Sequence, residues 1–134
     1  MNKIKEKTLE NGLVRHYRTF ERYDVMKQVS LSQKRIDIVL VEQNTKEIST
    51  IEVKIYDWKT ALRQANLNKI ACHRSFVAIW HEFSHRALQR RDIFQDLGIG
   101  LIVIEQGYKP RIEIEPKESD FANSFACNYI LKMV

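Results

Sequence analysis

Two carboxylates and an ammonium, those of Asp37, Glu52 and Lys54, fall in two successive strand-like runs, Arg35-Ile36-Asp37-Ile38-Val39-Leu40-Val41 and Thr50-Ile51-Glu52-Val53-Lys54-Ile55. Side chains alternate along a strand, so Glu52 and Lys54 share one face while Ile51, Val53 and Ile55 take the other. Asp37 sits in the same way between Ile36 and Ile38. Gathered at one end of a hairpin, these groups would bind a hard divalent cation and hold a water beside it. That is the equipment for metal-assisted phosphodiester hydrolysis. A Glu-x-Lys taken alone would equally suit a solvated edge strand, so the weight lies in the order of all three residues and in the elements around them.

That order, Asp37, a spacer, then Glu52-Val53-Lys54, resembles the active-site signature of the PD-(D/E)XK nuclease superfamily, with Ile36 standing where the family's name has proline. The whole chain can be laid on the family's order of elements: helix, three strands, helix, strand, helix, strand. The resemblance implies an α/β fold with a restriction-endonuclease-like αβββαβ core, a mixed sheet flanked by helices. It implies a metal-dependent nuclease acting on nucleic acid, with DNA as the expected substrate. Asp37, Glu52 and the backbone carbonyl of Val53 would then hold Mg²⁺ or Mn²⁺, and Lys54 would orient or help deprotonate the attacking water. Glu10 matches the acidic residue that the family often sends into the site from the first helix, with Glu6 as the alternative. Gln64 matches a glutamine carried by several branches on the helix after the Glu-x-Lys strand; Asn68 stands where some of them have tyrosine. The phrase Leu97-Gly98-Ile99-Gly100-Leu101 resembles the usual entry into the last core strand. Small nuclease domains of this kind often work as homodimers or in larger complexes. The second reading is a catalytically silent nucleic-acid-binding or assembly module on the same fold.

A different chemistry is written in His81-Glu82-Phe83-Ser84-His85, a literal His-Glu-x-x-His. Within a helix, two histidines one turn apart hold zinc and the glutamate acts as general base of a metallopeptidase. Here the segment follows a strand-like run ending at Trp80, without an obvious cap. Arg86 brings a charge directly after the second histidine, and the nearest third ligand, Glu105, ends a strand. The spacing predicts a strand-to-helix connection with partly exposed histidines.

The elements that must position these groups follow from periodicity and turn chemistry. Leu9, Leu13, Val14 and Tyr17 predict an amphipathic helix over Lys3–Thr19 despite Gly12. A strand is expected over Asp24–Ser30, then the strand of Asp37, a turn at Gln43-Asn44-Thr45, and the strand of Glu52 and Lys54. Asp57 can cap a helix from Trp58 to about Ala71, on which Lys59, Arg63 and Lys69 could meet phosphates or form a solvated face. Ser75–Trp80 and Gly100–Ile104 read as continuous apolar strands of the doubly covered type, separated by a polar helix over Arg86–Leu97 that Gly98 stops. Arg111–Ile114 predicts a short edge strand, and Ser119 a cap for a last helix with Phe121, Phe125 and Tyr129 on one face.

The 134 residues are expected to form one domain with a sizeable core. No apolar run approaches a membrane span, and the opening Met1-Asn2-Lys3-Ile4-Lys5-Glu6-Lys7 has no apolar stretch of signal-peptide type, so a cytoplasmic location is expected. Two cysteines, Cys72 and Cys127, are too few for a disulfide framework and read as small buried thiols. Twenty-two Lys and Arg against 17 Asp and Glu give a net charge of +5, which suits a polyanionic partner; Arg86, Arg90 and Arg91 form a further basic cluster.

Overall fold

In the computed structural model, which describes residues 3–134, six strands form one sheet in the order β1 to β6. The strands are β1 (Tyr23–Leu31), β2 (Lys34–Glu42), β3 (Ile48–Lys54), β4 (Arg74–Trp80), β5 (Gly100–Ile104) and β6 (Pro110–Ile114). The first three are antiparallel, β3, β4 and β5 run parallel, and β6 returns antiparallel on β5. Helix α1 (Glu6–Arg18) precedes the sheet, and α2 (Trp58–Asn68) makes the crossover from β3 to β4. Between β4 and β5 lie a 3₁₀ turn at His81–Phe83 and two short helices, α3 (His85–Leu88) and α4 (Arg91–Leu97); α5 (Ser124–Leu131) closes the chain. The fold is α/β with a mixed sheet flanked by helices, in the element order read from the sequence.

The parallel strands are covered on both faces, which is why β4 and β5 are apolar without alternation. On one face Leu9, Leu13 and Val14 of α1 pack on Ile38, Leu40, Ile51, Val53, Ala78 and Ile102. On the other, Trp58, Ala61, Leu62 and Ala65 of α2 join Phe94 of α4 over Val77, Ile79 and Leu101. Asp57 caps α2 as expected, its carboxylate accepting from the Thr60 amide at 3.2 Å and from the Thr60 hydroxyl at 2.7 Å, which lowers its pKa. Gly98 ends α4 in the left-handed conformation, φ 72°.

Three expectations need correction. The polar helix is not continuous over Arg86–Leu97; it breaks at Gln89-Arg90 into α3 and α4. Ser119 does not cap the last helix, because its hydroxyl donates to the Lys69 carbonyl at 2.7 Å and is committed to the end of α2. The cap is Asn123, whose side chain accepts from the amides of Phe125 and Ala126. As a consequence α5 buries Ala126, Cys127 and Ile130 against Val39, Val41 and Cys72, while Phe121, Phe125 and Tyr129 are exposed, Phe125 at 83%. Periodicity alone could not separate the two apolar stripes of so short a helix. Both cysteines are free and buried, and burial pushes the Cys72 thiol up to about 11.

Gly12 is required by close approach. A Cβ there would run into the Cβ and Cγ of Tyr108, a residue held at φ 63° beyond β5. Gly12→Ala should therefore lower stability in urea unfolding by about 1–3 kcal/mol, the cost of overpacking. In a Tyr108→Gly background, where the ring is gone and the positive φ is tolerated, the same change should instead stabilise by up to about 1 kcal/mol through helix propensity.

Candidate active site

The ladder between β2 and β3 runs from Val41 opposite Ile48 to Ile38 opposite Ile51 and then stops. One step further Asp37 would face Glu52, and there the strands are joined by side chains. The Val53 amide donates to Asp37 Oδ2 at 2.8 Å, and the Asp37 amide donates to Glu52 Oε2 at a longer 3.4 Å. The N–H and C=O of one strand residue point to the same side, so the Val53 carbonyl also faces the gap beside Asp37.

Glu52 is only 2% exposed, and Asn68 of α2, itself fully buried, donates to its Oε2 at 2.8 Å. Burial first, and the Asp37 charge second, raise the Glu52 carboxyl to about 7; the bonds from Asn68 and the Asp37 amide pull the other way. Asn68 Oδ1 has no hydrogen-bond partner among the described residues. Lys54 projects from the same strand, with Nζ 3.5 Å from Glu6 Oε1 on α1. Asp37, Glu52, Lys54 and Gln64 line one polar cleft of about 390 Å³, joined by Lys34 and Arg35 from the start of β2. Lys34 Nζ donates to the Gln64 carbonyl at 3.4 Å; its burial lowers its pKa, opposed by Glu52.

Glu10 reaches Asp37 through an intermediary. Gln28 interrupts β1 between the pairs Lys27–Ile38 and Val29–Ile36, with φ 51°. A non-glycine residue in that region is strained by about 1–3 kcal/mol. In this conformation the Gln28 side-chain Nε2 donates to both Glu10 oxygens at 3.0 and 3.1 Å and to Asp37 Oδ1 at 3.3 Å. Burial pushes the Glu10 carboxyl up, Gln28 opposes this, and Asp37 adds to it.

Among the described residues, no three His, Cys, Asp or Glu side chains converge as a ready-made metal cage. Mg²⁺ does not need one, since it keeps several waters and is usually held by one or two carboxylates. Asp37 and Glu52, two neighbouring acids of which one is almost wholly desolvated, with a main-chain carbonyl beside them, fit such an ion. The basic residues of α2 and of its C-cap, Lys69, lie outside this cleft. Lys59 lines a second cleft with its ammonium over the Trp58 ring, Arg63 is exposed and donates to the Thr60 hydroxyl, and Lys69 is occupied by the Leu97 carbonyl at 2.7 Å. In the basic cluster Arg90 pairs with Asp92 and Arg91 donates to the Glu113 carbonyl, leaving Arg86 to line the second cleft. The His81–His85 segment is divided between a 3₁₀ turn and α3, and Glu105 accepts from Arg111 at 2.6 Å.

Sequence reasoning missed Gln28, Lys34, Arg35 and the role of Asn68. Arg35 carries a signal in hindsight, being two residues from Asp37 on an alternating strand. Gln28 does not, because its role follows from the β1–β2 register and a backbone conformation that no residue type announces.

Neither protein-family models nor curated proteins match this chain. A solved structure of a protein of unknown function from Silicibacter pomeroyi is similar in fold, with a TM-score of 0.73 at 19% identity, covering 98% of this chain and 84% of that one. At that identity the likeness concerns the fold alone.

The Glu52 environment generates a pH prediction. The folded carboxyl keeps its proton to about pH 7, whereas an ordinary glutamate releases it near 4.5. Between these values the native state binds more protons, so stability falls as pH rises, and above pH 7 the loss is complete. Glu52→Gln should therefore stabilise the metal-free protein at pH 8 by about 3 kcal/mol, read as a higher melting temperature, and change its stability little at pH 4. Equal effects at both pH values would show that Glu52 is not held protonated by its surroundings.

Proposed function

We propose that this chain is a metal-dependent nuclease of the PD-(D/E)XK type, hydrolysing phosphodiester bonds in DNA. The observation that supports it most is the convergence of Asp37, Glu52 and Lys54 in one polar cleft where β2 and β3 part. In this reading the sheet is the restriction-endonuclease-like core. Asp37, Glu52 and the Val53 carbonyl would hold Mg²⁺ or Mn²⁺. Bound there, the ion supplies positive charge at the scissile phosphate and acidifies a water.

The remaining work belongs to the chain's own groups. Asp37 is fixed by the Val53 amide and Glu52 by Asn68, so neither carboxylate has to reorganise when a phosphate arrives. Lys54, steadied by Glu6, is placed to orient the attacking water and to offset the charge that grows on the phosphate. Lys34 and Arg35 add charge at the cleft for the neighbouring phosphates. Glu10 and Gln28 hold Asp37 from the α1 side, and Gln64 closes the wall formed by α2.

Purified protein incubated with plasmid, linear, branched and single-stranded DNA should cleave at least one of them with Mg²⁺ or Mn²⁺ and stop on chelation. Lys54→Ala should remain folded and lose about 10²–10³ in turnover. No cleavage by wild type under either metal would leave a nucleic-acid-binding or assembly module on this fold. Stoichiometric zinc that disappears with His81→Ala or His85→Ala would instead favour peptidase chemistry.

A further inference from the structure

Beyond Lys54 the chain enters a region that the hydrolytic groups do not use. Two clefts open at the carboxyl ends of β3 and β4, of about 850 and 640 Å³, and they share Tyr56, Glu82 and Phe83 as a common wall. Tyr56 is 65% exposed and Phe83 39%, their rings edge-on with centroids 6.0 Å apart. Behind them in the larger cleft the Trp80 and Tyr108 rings lie 6.1 Å apart. Exposed aromatic faces offer apolar area that a planar ligand can cover.

The surrounding charge indicates what that is. Lys3 and Lys5 line the larger cleft, and Lys59 and Arg86 the smaller. Against these four cations stand Glu82 and Asp57, and the Asp57 carboxylate is already held by Thr60. Aromatic faces set among cations are the features by which proteins hold unpaired nucleotides, whose bases stack while their phosphates are neutralised. Bases within a duplex are already stacked and cannot make this contact.

The clefts also adjoin the hydrolytic site. Tyr56 is two residues from Lys54, at most about 7 Å of extended chain, and the first turn of α1 that holds Lys54 through Glu6 forms the opposite wall at Lys5 and Thr8. A strand with one phosphate at Lys54 would thus bring neighbouring nucleotides to the rings.

We infer that Tyr56 and Phe83, flanked by Lys3, Lys5, Lys59 and Arg86, form a stacking clamp for unpaired nucleotides, so that the substrate is single-stranded nucleic acid or a splayed end rather than uninterrupted duplex. The inference rests on the nuclease reading for its substrate, but its test does not need catalysis. In chelator and low salt, the full chain should bind a fluorescent oligothymidylate of about 12 nucleotides, within the usual site sizes, more tightly than a blunt hairpin duplex, as read by anisotropy. The double variant Tyr56→Ala/Phe83→Ala should lose about tenfold or more in single-strand affinity, with duplex affinity and the circular dichroism spectrum unchanged. Tyr56→Phe/Phe83→Tyr, which keeps both rings, should bind as wild type does. Preference for duplex, no binding of the oligonucleotide, or single-strand affinity unmoved by the alanine pair would overturn the clamp. Metal-dependent cleavage by the same preparations separates the two readings. Ring-dependent binding without cleavage supports the clamp and rejects the nuclease, whereas cleavage without ring-dependent binding rejects the clamp alone.

Discussion

Beyond the pair Ile38–Ile51, β2 and β3 are held together by carboxylates instead of carbonyls, and the geometry of the site depends on that substitution. A buried amide without an acceptor costs about 1–3 kcal/mol. Asp37 removes that cost at Val53, so it is positioned by the backbone itself and not by a flexible contact. The same divergence leaves the Glu52 side chain almost wholly buried, with the Asp37 charge beside it. Two carboxyl groups therefore meet at one point of the sheet, with Ile51 and Val53 packed under α1 on the opposite face. Such an arrangement is costly to the empty fold and favourable to a cation.

Two helices carry the supporting groups, and each is fixed by an unrelated device. The Asp57 cap and the apolar face of α2 place Asn68 against Glu52 and Gln64 at the cleft. The contact of Gly12 with Tyr108 lets α1 lie close to the end of the sheet, which brings Glu6 to Lys54 and Glu10 to Gln28. Gln28 links the helix to the strand at the cost of a left-handed backbone. Stability is given up at Glu52 and Gln28 together, a pattern expected where charge must be preorganised.

Most of this architecture was legible in the sequence, because β2, β3, β4 and β5 are marked by β-branched runs between turn residues, and Asp57 and Gly98 mark the ends of helices by their own chemistry. Asp37, Glu52, Lys54 and Gln64 do share a cleft, since strand alternation and helix spacing fix where such side chains point. What could not be read depended on contacts between distant segments. The apolar stripe of α5 was misassigned because Ser119 is diverted to the Lys69 carbonyl and Asn123 supplies the cap. Lys59 and Arg63 share a helix with Gln64 but not its face, so they stand outside the cleft. Asn68, an apparent departure from a familiar pattern, supplies the hydrogen bond that holds Glu52.

A cation site shared by Asp37 and Glu52 is tested most directly by titrating Mn²⁺ into the metal-free protein and following free Mn²⁺ by electron paramagnetic resonance across pH 5.5–8. Occupying the site displaces the proton that Glu52 keeps up to about pH 7. Affinity should therefore rise about tenfold per pH unit below that value and level off above it. Asp37→Asn should abolish binding, and Glu52→Gln should weaken it and remove the pH dependence. Binding that is indifferent to pH, or that survives in Asp37→Asn, would contradict a metal held where β2 and β3 part.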